Sequence, residues 1–246
     1  MIWGSWFGSL QAGQFKLSPL VIETETIRGS ASGMFVVKNL GNKTVHLRVY
    51  SVPFTYNADG FKPLNTSSYD LSPYLIFAPR KLIIKPEQSR RVRLNVRFLP
   101  SMRSAEYRAM VFTEEIKPLG HDPSKIRIGL IPRIGVAVYV RHGKIKAQLS
   151  MLGIIYAKKS IVLQVQNTGK ASARPRVNWV LKQYGTKITT GRNKPATVIA
   201  EKQRHIEIGT PEIKKLKAGT YQLSGKLVWG AMEKYQLTFQ QEFVIP

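Results

Sequence analysis

The chain has 246 residues, enough for one or two domains that each bury a core without covalent staples. Hydrophobic residues make up 43%, too many for a disordered chain and too dispersed for a membrane span, and the absence of cysteine excludes disulfides, thiolate zinc sites and cysteine nucleophiles. Lysine and arginine outnumber aspartate and glutamate 38 to 14, a formal charge of +24 that favours anionic partners.

The charge is spread along the whole chain, with small clusters at Arg90, Arg91 and Arg93, at Lys158 and Lys159, and at Lys214, Lys215 and Lys217. No zinc finger or RNA-recognition motif accompanies it, so an evenly basic, solvated surface is expected and no nucleic-acid partner. At the N-terminus Ile2, Trp3, Trp6, Phe7 and Leu10 precede Ala12, and the first basic residue is Lys16. An apolar stretch before a small residue is the middle and end of a secretory signal without its basic start. Residues 1–14 are read as a truncated signal or an apolar tail.

Strand patterns follow. Val45, Leu47 and Val49 alternate with His46, Arg48 and Tyr50, and the chain from 45 to 57 reads as one extended segment. Val92, Leu94, Val96 and Phe98 alternate with Arg93, Asn95 and Arg97. A period of two puts the aliphatic residues on one face and the charges on the other, as in a half-buried strand. Turn residues at Leu40-Gly41-Asn42, Ala58-Asp59-Gly60 and Lys85-Pro86-Glu87 break these runs. The pattern then restarts. Val36-Val37-Lys38-Asn39-Leu40-Gly41 is echoed by Leu163-Gln164-Val165-Gln166-Asn167-Thr168-Gly169, each an apolar alternation ending in asparagine and a glycine turn. Two copies of one sandwich account for the length. The predicted fold is all-β, with two immunoglobulin-like β-sandwich domains in tandem at residues 15–142 and 143–246.

Chemistry is scarce. The histidines, His46, His121, His142 and His205, show no metal-ligand spacing, and the only aspartates are Asp59, Asp70 and Asp122. Glu114 and Glu115 are adjacent, so on a strand they face opposite ways and form no shared-proton pair. No phosphate-cradling glycine loop occurs. No enzyme, metal, cofactor or small-molecule substrate is expected.

Three stretches give the first half its likeness. Pro79-Arg80-Lys81-Leu82-Ile83-Ile84-Lys85-Pro86 precedes Val92-Arg93-Leu94, a proline-bracketed turn and the next strand. Glu106-Tyr107-Arg108-Ala109-Met110-Val111-Phe112-Thr113-Glu114-Glu115-Ile116-Lys117-Pro118 is similar to a strand ending in Glu-Ile-Pro-Pro. Ile126-Arg127-Ile128-Gly129-Leu130-Ile131-Pro132-Arg133-Ile134 has alternating large aliphatic residues. Together these resemble the PapD-like periplasmic pilus chaperones of the chaperone–usher pathway, in their short-loop branch. The resemblance covers roughly residues 15–140.

That resemblance implies a boomerang of two sandwiches that holds pilus or surface-fibre subunits lacking one strand of their own. The chaperone lends an alternating edge strand, here through Ile126, Ile128 and Leu130, and delivers the subunit to an outer-membrane usher. It also implies a periplasmic location, and self-association through the exposed edge when no subunit is bound. The same three aliphatic residues would otherwise pack in their own core. The family anchors the subunit's terminal carboxylate with an arginine and a lysine, but Leu20 and Gly135 stand at those positions. Lys16, Arg133 and Arg141 are candidate replacements, or else ordinary solvated charges. A tandem-sandwich surface or adhesin module without chaperone activity is the alternative reading, and a basic nucleic-acid binder is a third.

Overall fold

The computed structural model describes residues 10–12, 14–116, 131–157 and 159–246. They divide into two compact units, one drawn from residues up to Phe54 and Pro63–Gly143, the other from Thr55–Lys62 and Lys144–Pro246. In chain order the first twelve strands are β1 (Leu10–Ala12), β2 (Phe15–Ser18), β3 (Val21–Glu25), β4 (Ser30–Asn39), β5 (Val45–Val52), β6 (Phe54–Tyr56), β7 (Phe61–Pro63), β8 (Leu75–Ala78), β9 (Lys81–Ile84), β10 (Ser89–Arg97), β11 (Ala105–Glu115) and β12 (Arg133–His142). Seven more follow: β13 (Leu149–Ala157), β14 (Ser160–Asn167), β15 (Arg176–Gln183), β16 (Thr186–Arg192), β17 (Gln203–Ile208), β18 (Gly219–Trp229) and β19 (Tyr235–Ile245).

The first unit packs two five-stranded sheets, ordered β1-β2-β4-β10-β8 and β3-β12-β11-β5-β9. The alternation read from the sequence decides which side chains lie between them. Val92, Leu94, Val96 and Phe98 are buried, while Arg91, Arg93, Asn95 and Arg97 are exposed. Phe15, Leu17, Phe35 and Val37 join them from β2 and β4, facing Val45, Leu47, Val111, Ile134, Val136, Val138 and Val140 of the second sheet. Where the sequence suggested one segment from 45 to 57, Pro53 intervenes. It has no N–H for the ladder, so β5 ends at Val52 and β6 starts at Phe54. The body of the β6–β7 hairpin, which sequence order assigns to the first domain, belongs to the second unit.

That second unit packs a three-stranded sheet, β13-β14-β17, on a four-stranded one, β16-β15-β18-β19. Its core is built from Ile161, Leu163, Val165, Val177, Trp179, Leu181, Ile206, Ile208, Leu223 and Leu227.

The repeated asparagine has a physical basis. Asn39 and Asn167 are fully buried at the ends of β4 and β14. Asn39 Nδ2 donates to the Lys43 and Ile84 carbonyls at 2.8 and 2.9 Å, and its Oδ1 accepts from Gly41 N at 2.9 Å. Asn167 does the same with Ala171 O (2.8 Å), Val198 O (3.2 Å) and Gly169 N (3.0 Å), and also accepts from Gln148 N at 3.0 Å. In each case one side chain replaces the ladder that stops there and pins the turn to a neighbouring segment. A second correspondence lies further along. Tyr107 Oη donates to Arg103 O at 3.2 Å, and Tyr221 Oη to Lys217 O at 3.0 Å, each two residues into its strand. This tyrosine corner, with the tyrosine bonded back to upstream backbone, recurs in immunoglobulin-like sandwiches.

Asn167→Ala removes four bonds at a dry site and should cost about 3 kcal/mol, since buried groups left unpaired carry their desolvation penalty. Trp179, buried in the same core, reports the loss as a lower urea midpoint by fluorescence. An unchanged midpoint would mean the turn holds without its side-chain clamp.

Candidate functional site

β12 is paired unequally on its two flanks. Towards β11 the ladder is complete, from Glu114↔Arg133 to Ala105↔His142. Towards β3 it is parallel and begins only at Ala137↔Val21, running to Arg141↔Glu25, with Ala137 N donating to Leu20 O at 2.9 Å. Residues 133–136 therefore have no strand bonded to their outer flank among the described residues. The first sheet's β1 and β2 come near β12 without joining its ladder. Ile134 and Val136 are meanwhile buried in the core, so the half-paired strand is firmly rooted.

Beside this edge, the outer face of the second sheet carries an ordered cluster. Arg48, Glu114 and Arg133 lie directly opposite one another on β5, β11 and β12, as do Tyr50, Phe112 and Gly135 two positions along. Glu114 Oε1 accepts from Arg48 Nη2 at 2.7 Å and Oε2 from the Tyr50 hydroxyl at 2.6 Å. Arg133 Nη1 donates to Tyr50 Oη at 3.4 Å, and its guanidinium lies 4.5 Å from the centre of the Phe112 ring. Phe112 in turn sits 5.6 Å from Tyr50. The hydrogen bond from Tyr50, with those from Arg48 and the charge of both arginines, holds the Glu114 carboxyl below its usual range against the opposing effect of burial. Burial, then the Glu114 hydrogen bond, pushes the Tyr50 phenol up.

The candidate anchors do not gather at one point. Arg133 is exposed at the free end of β12. Arg141 stands at the far end of the strand, about 27 Å away for eight residues of extended chain. There it lies 3.6 Å from Glu23 and 3.5 Å from the buried Glu106. Lys16 belongs to β2 in the other sheet, opposite Lys38, between the buried Phe15 and Leu17. The two positions that the resemblance assigns to anchors carry no charged side chain. Leu20 packs on the core. At Gly135 a Cβ would come within 2.5 Å of Met110 Sδ and 3.0 Å of Phe112 Cε1. Ile126, Ile128 and Leu130, the expected donor residues, lie outside the described residues, as do His121 and Asp122. Of the other histidines, His142 shares a 2.8 Å hydrogen bond with Thr26 and His205 approaches Asp59 at 3.3 Å.

Sequence reasoning missed the Arg48–Tyr50–Glu114–Phe112 cluster. Its only trace is Arg48 and Tyr50 two apart on the polar side of a strand, which reads equally well as a solvated face.

The two immunoglobulin-like sandwiches in succession make a two-domain fold that solved fimbrial chaperones share. Solved structures similar to this chain include the YadV chaperone (12% identity, 94% of this chain and 100% of that chain, TM-score 0.54) and the class 5 fimbriae chaperone CfaA (16%, 94% and 99%, TM-score 0.52). A chain of the CsuC–CsuE chaperone–tip adhesion subunit pre-assembly complex of Acinetobacter baumannii Csu pili is similar too (14%, 93% and 98%, TM-score 0.54). At these identities the likeness is one of fold. No protein-family model matches the sequence, and no curated protein does.

Because folded Glu114 titrates below its unfolded value, the cluster contributes in full above the unfolded range and is lost as pH falls through the folded value. Wild-type stability should therefore fall as pH drops through and below the ordinary carboxylate range, and more steeply than that of Glu114→Gln, which has no carboxyl to protonate. Parallel acid limbs in urea unfolding would show that the carboxylate is not engaged in solution.

Proposed function

We propose that this chain is a non-enzymatic periplasmic chaperone that binds pilus or surface-fibre subunits through a shared strand and passes them to an outer-membrane usher. One observation supports the reading: among the described residues no strand is bonded to the outer flank of β12 at residues 133–136, in a strand whose inner side chains are fixed in the core. A flank of this kind offers main-chain donors and acceptors to an added strand. The fold agrees, since the solved chaperones of similar architecture include one captured with a tip adhesion subunit.

The aliphatic row supplies the rest. Ile126, Ile128 and Leu130 stand at even sequence distances from Ile134 and Val136. A strand running upstream from Arg133 would carry all five on one side, the last two in the chaperone's core and the first three in the guest's groove. Burying three such side chains is worth about 5–9 kcal/mol before ordering costs. Of the candidate anchors, Arg133 suits a guest carboxylate best. It is exposed at the free flank, whereas Arg141 already lies between two carboxylates.

The test is co-expression in the periplasm with small β-rich pilus subunits, followed by co-purification. Ile126→Asp/Ile128→Asp should abolish capture, by a hundredfold or more at about 1.5–3 kcal/mol per aliphatic side chain lost, and leave the urea midpoint of the free chaperone unchanged. A large drop in stability with capture intact would put both residues in the chaperone's own core and end the strand-lending account. A wild-type chain that stays monomeric and alone would fit a structural surface module instead.

A further inference from the structure

The outer face of the first sheet is basic in a way the rest of its unit does not explain. On β10, Arg91, Arg93 and Arg97 all point away from the core, because Val92, Leu94 and Val96 point into it. The row they form is about 20 Å long at the rise of an extended strand. None of the three side chains has an ion pair or hydrogen bond among the described residues. Directly across from them, on the same face, lie Val36, Met34 and Ser30 of β4 and, opposite Arg93, Ala78 of β8. Lys38 and Lys16 extend the face onto β4 and β2, opposite one another. The carboxylate in contact with this face is that of Glu87, held by Lys38 at 2.9 Å.

The face is also dotted with apolar side chains. Met34 is 50% exposed and Ile76 of β8, opposite Asn95, is 66% exposed. The outward positions of β2, β4, β8 and β10 include no aromatic ring on which a base could stack, and the sheet offers no projecting element to enter a groove. A broad surface, free arginines and aliphatic tips between them fit a plane of phosphates over hydrocarbon. Guanidinium groups pair bidentately with phosphate, and short apolar side chains enter the headgroup boundary beside them.

We propose that the outer face of the first sheet, through Arg91, Arg93 and Arg97 with Met34 and Ile76, docks the protein on an anionic phospholipid surface. This does not depend on the chaperone reading, because it uses the opposite sheet from the β12 edge. The geometry leaves that edge's own cluster untouched.

The test is co-sedimentation of the full chain with vesicles of phosphatidylcholine alone, or with one quarter phosphatidylglycerol. Binding is expected only to the anionic vesicles, and to weaken with salt. Arg91→Gln/Arg93→Gln/Arg97→Gln should bind about a hundredfold more weakly, taking each basic residue near a charged membrane at its usual contribution. Lys214→Gln/Lys215→Gln/Lys217→Gln removes the same charge from the second unit and should bind as wild type does. Ile76→Ser should weaken vesicle binding severalfold at unchanged net charge. Equal loss in the two triple variants would reduce the effect to overall charge and overturn the assignment. So would tighter binding of the same face to a DNA duplex or to poly-glutamate than to vesicles at equal charge concentration.

Discussion

A strand bonded along one flank carries on the other a row of N–H and C=O groups that must be paired, solvated or covered, and this is the constraint on which the first unit turns. In β12 the outer flank is closed by β3 only from Ala137 onwards. The length left open is fixed upstream, where the chain leaves one sheet for the other. Ser18 still pairs with Val36 in the first sheet, Pro19 has no N–H to continue that ladder, and Leu20 O already accepts from Ala137 in the second. Had the crossover come a few residues earlier, β3 would reach Arg133 and the edge would be sealed. A local covalent fact about one proline residue thus sets how much of a distant strand's flank β3 covers.

Much of this architecture was legible in the sequence because strand burial is a matter of parity. The runs at 45–49 and 92–98 fold with the aliphatic positions inward, since a half-buried strand leaves them no other place. The repeated asparagine was equally readable. A buried amide at the end of an alternation has few roles besides stopping a ladder and tying its turn, and Asn39 and Asn167 both do so. What parity cannot give is register between strands far apart in sequence. Arg141 looks like a spare cation at a corner. It acquires two carboxylates only because β12 lies between β3, which brings Glu23, and β11, which brings Glu106. Residues 55–62 read as part of the first domain by order alone, and long-range contacts place them with the second unit. There Arg204 reaches the Asn57 and Ala58 carbonyls at 3.3 Å.

The closed anchor positions bear on how binding energy is divided. An exposed ion pair contributes about 0–1 kcal/mol, whereas each aliphatic residue sunk into a groove contributes about 1.5–3 kcal/mol. On the proposed reading, glycine in place of a lysine at the head of the strand therefore gives up little affinity. It gives up a fixed point for register. Here the vacated space is filled by Met110 and Phe112, and the guanidinium two residues away lies over that same Phe112 ring. The cation thus stands at the level of Arg133 rather than of Gly135, two residues nearer the start of β12.

The two outer faces of the unit solve their electrostatics differently. On the second sheet Glu114 stands between Arg48 and Arg133, so cations and carboxylate alternate across the strands and the carboxylate partly offsets the two guanidinium charges. On the first, arginines at 91 and 93 follow each other two residues apart with no carboxylate between. At about 7 Å in a water-like dielectric, each such neighbouring pair opposes folding by about 0.6 kcal/mol. The cost is small enough for the core side chains of the same strand to carry. It is also relieved by any anion that spans the row. β10 thereby holds its sandwich together with one face and presents with the other a charge that no side chain among the described residues pairs.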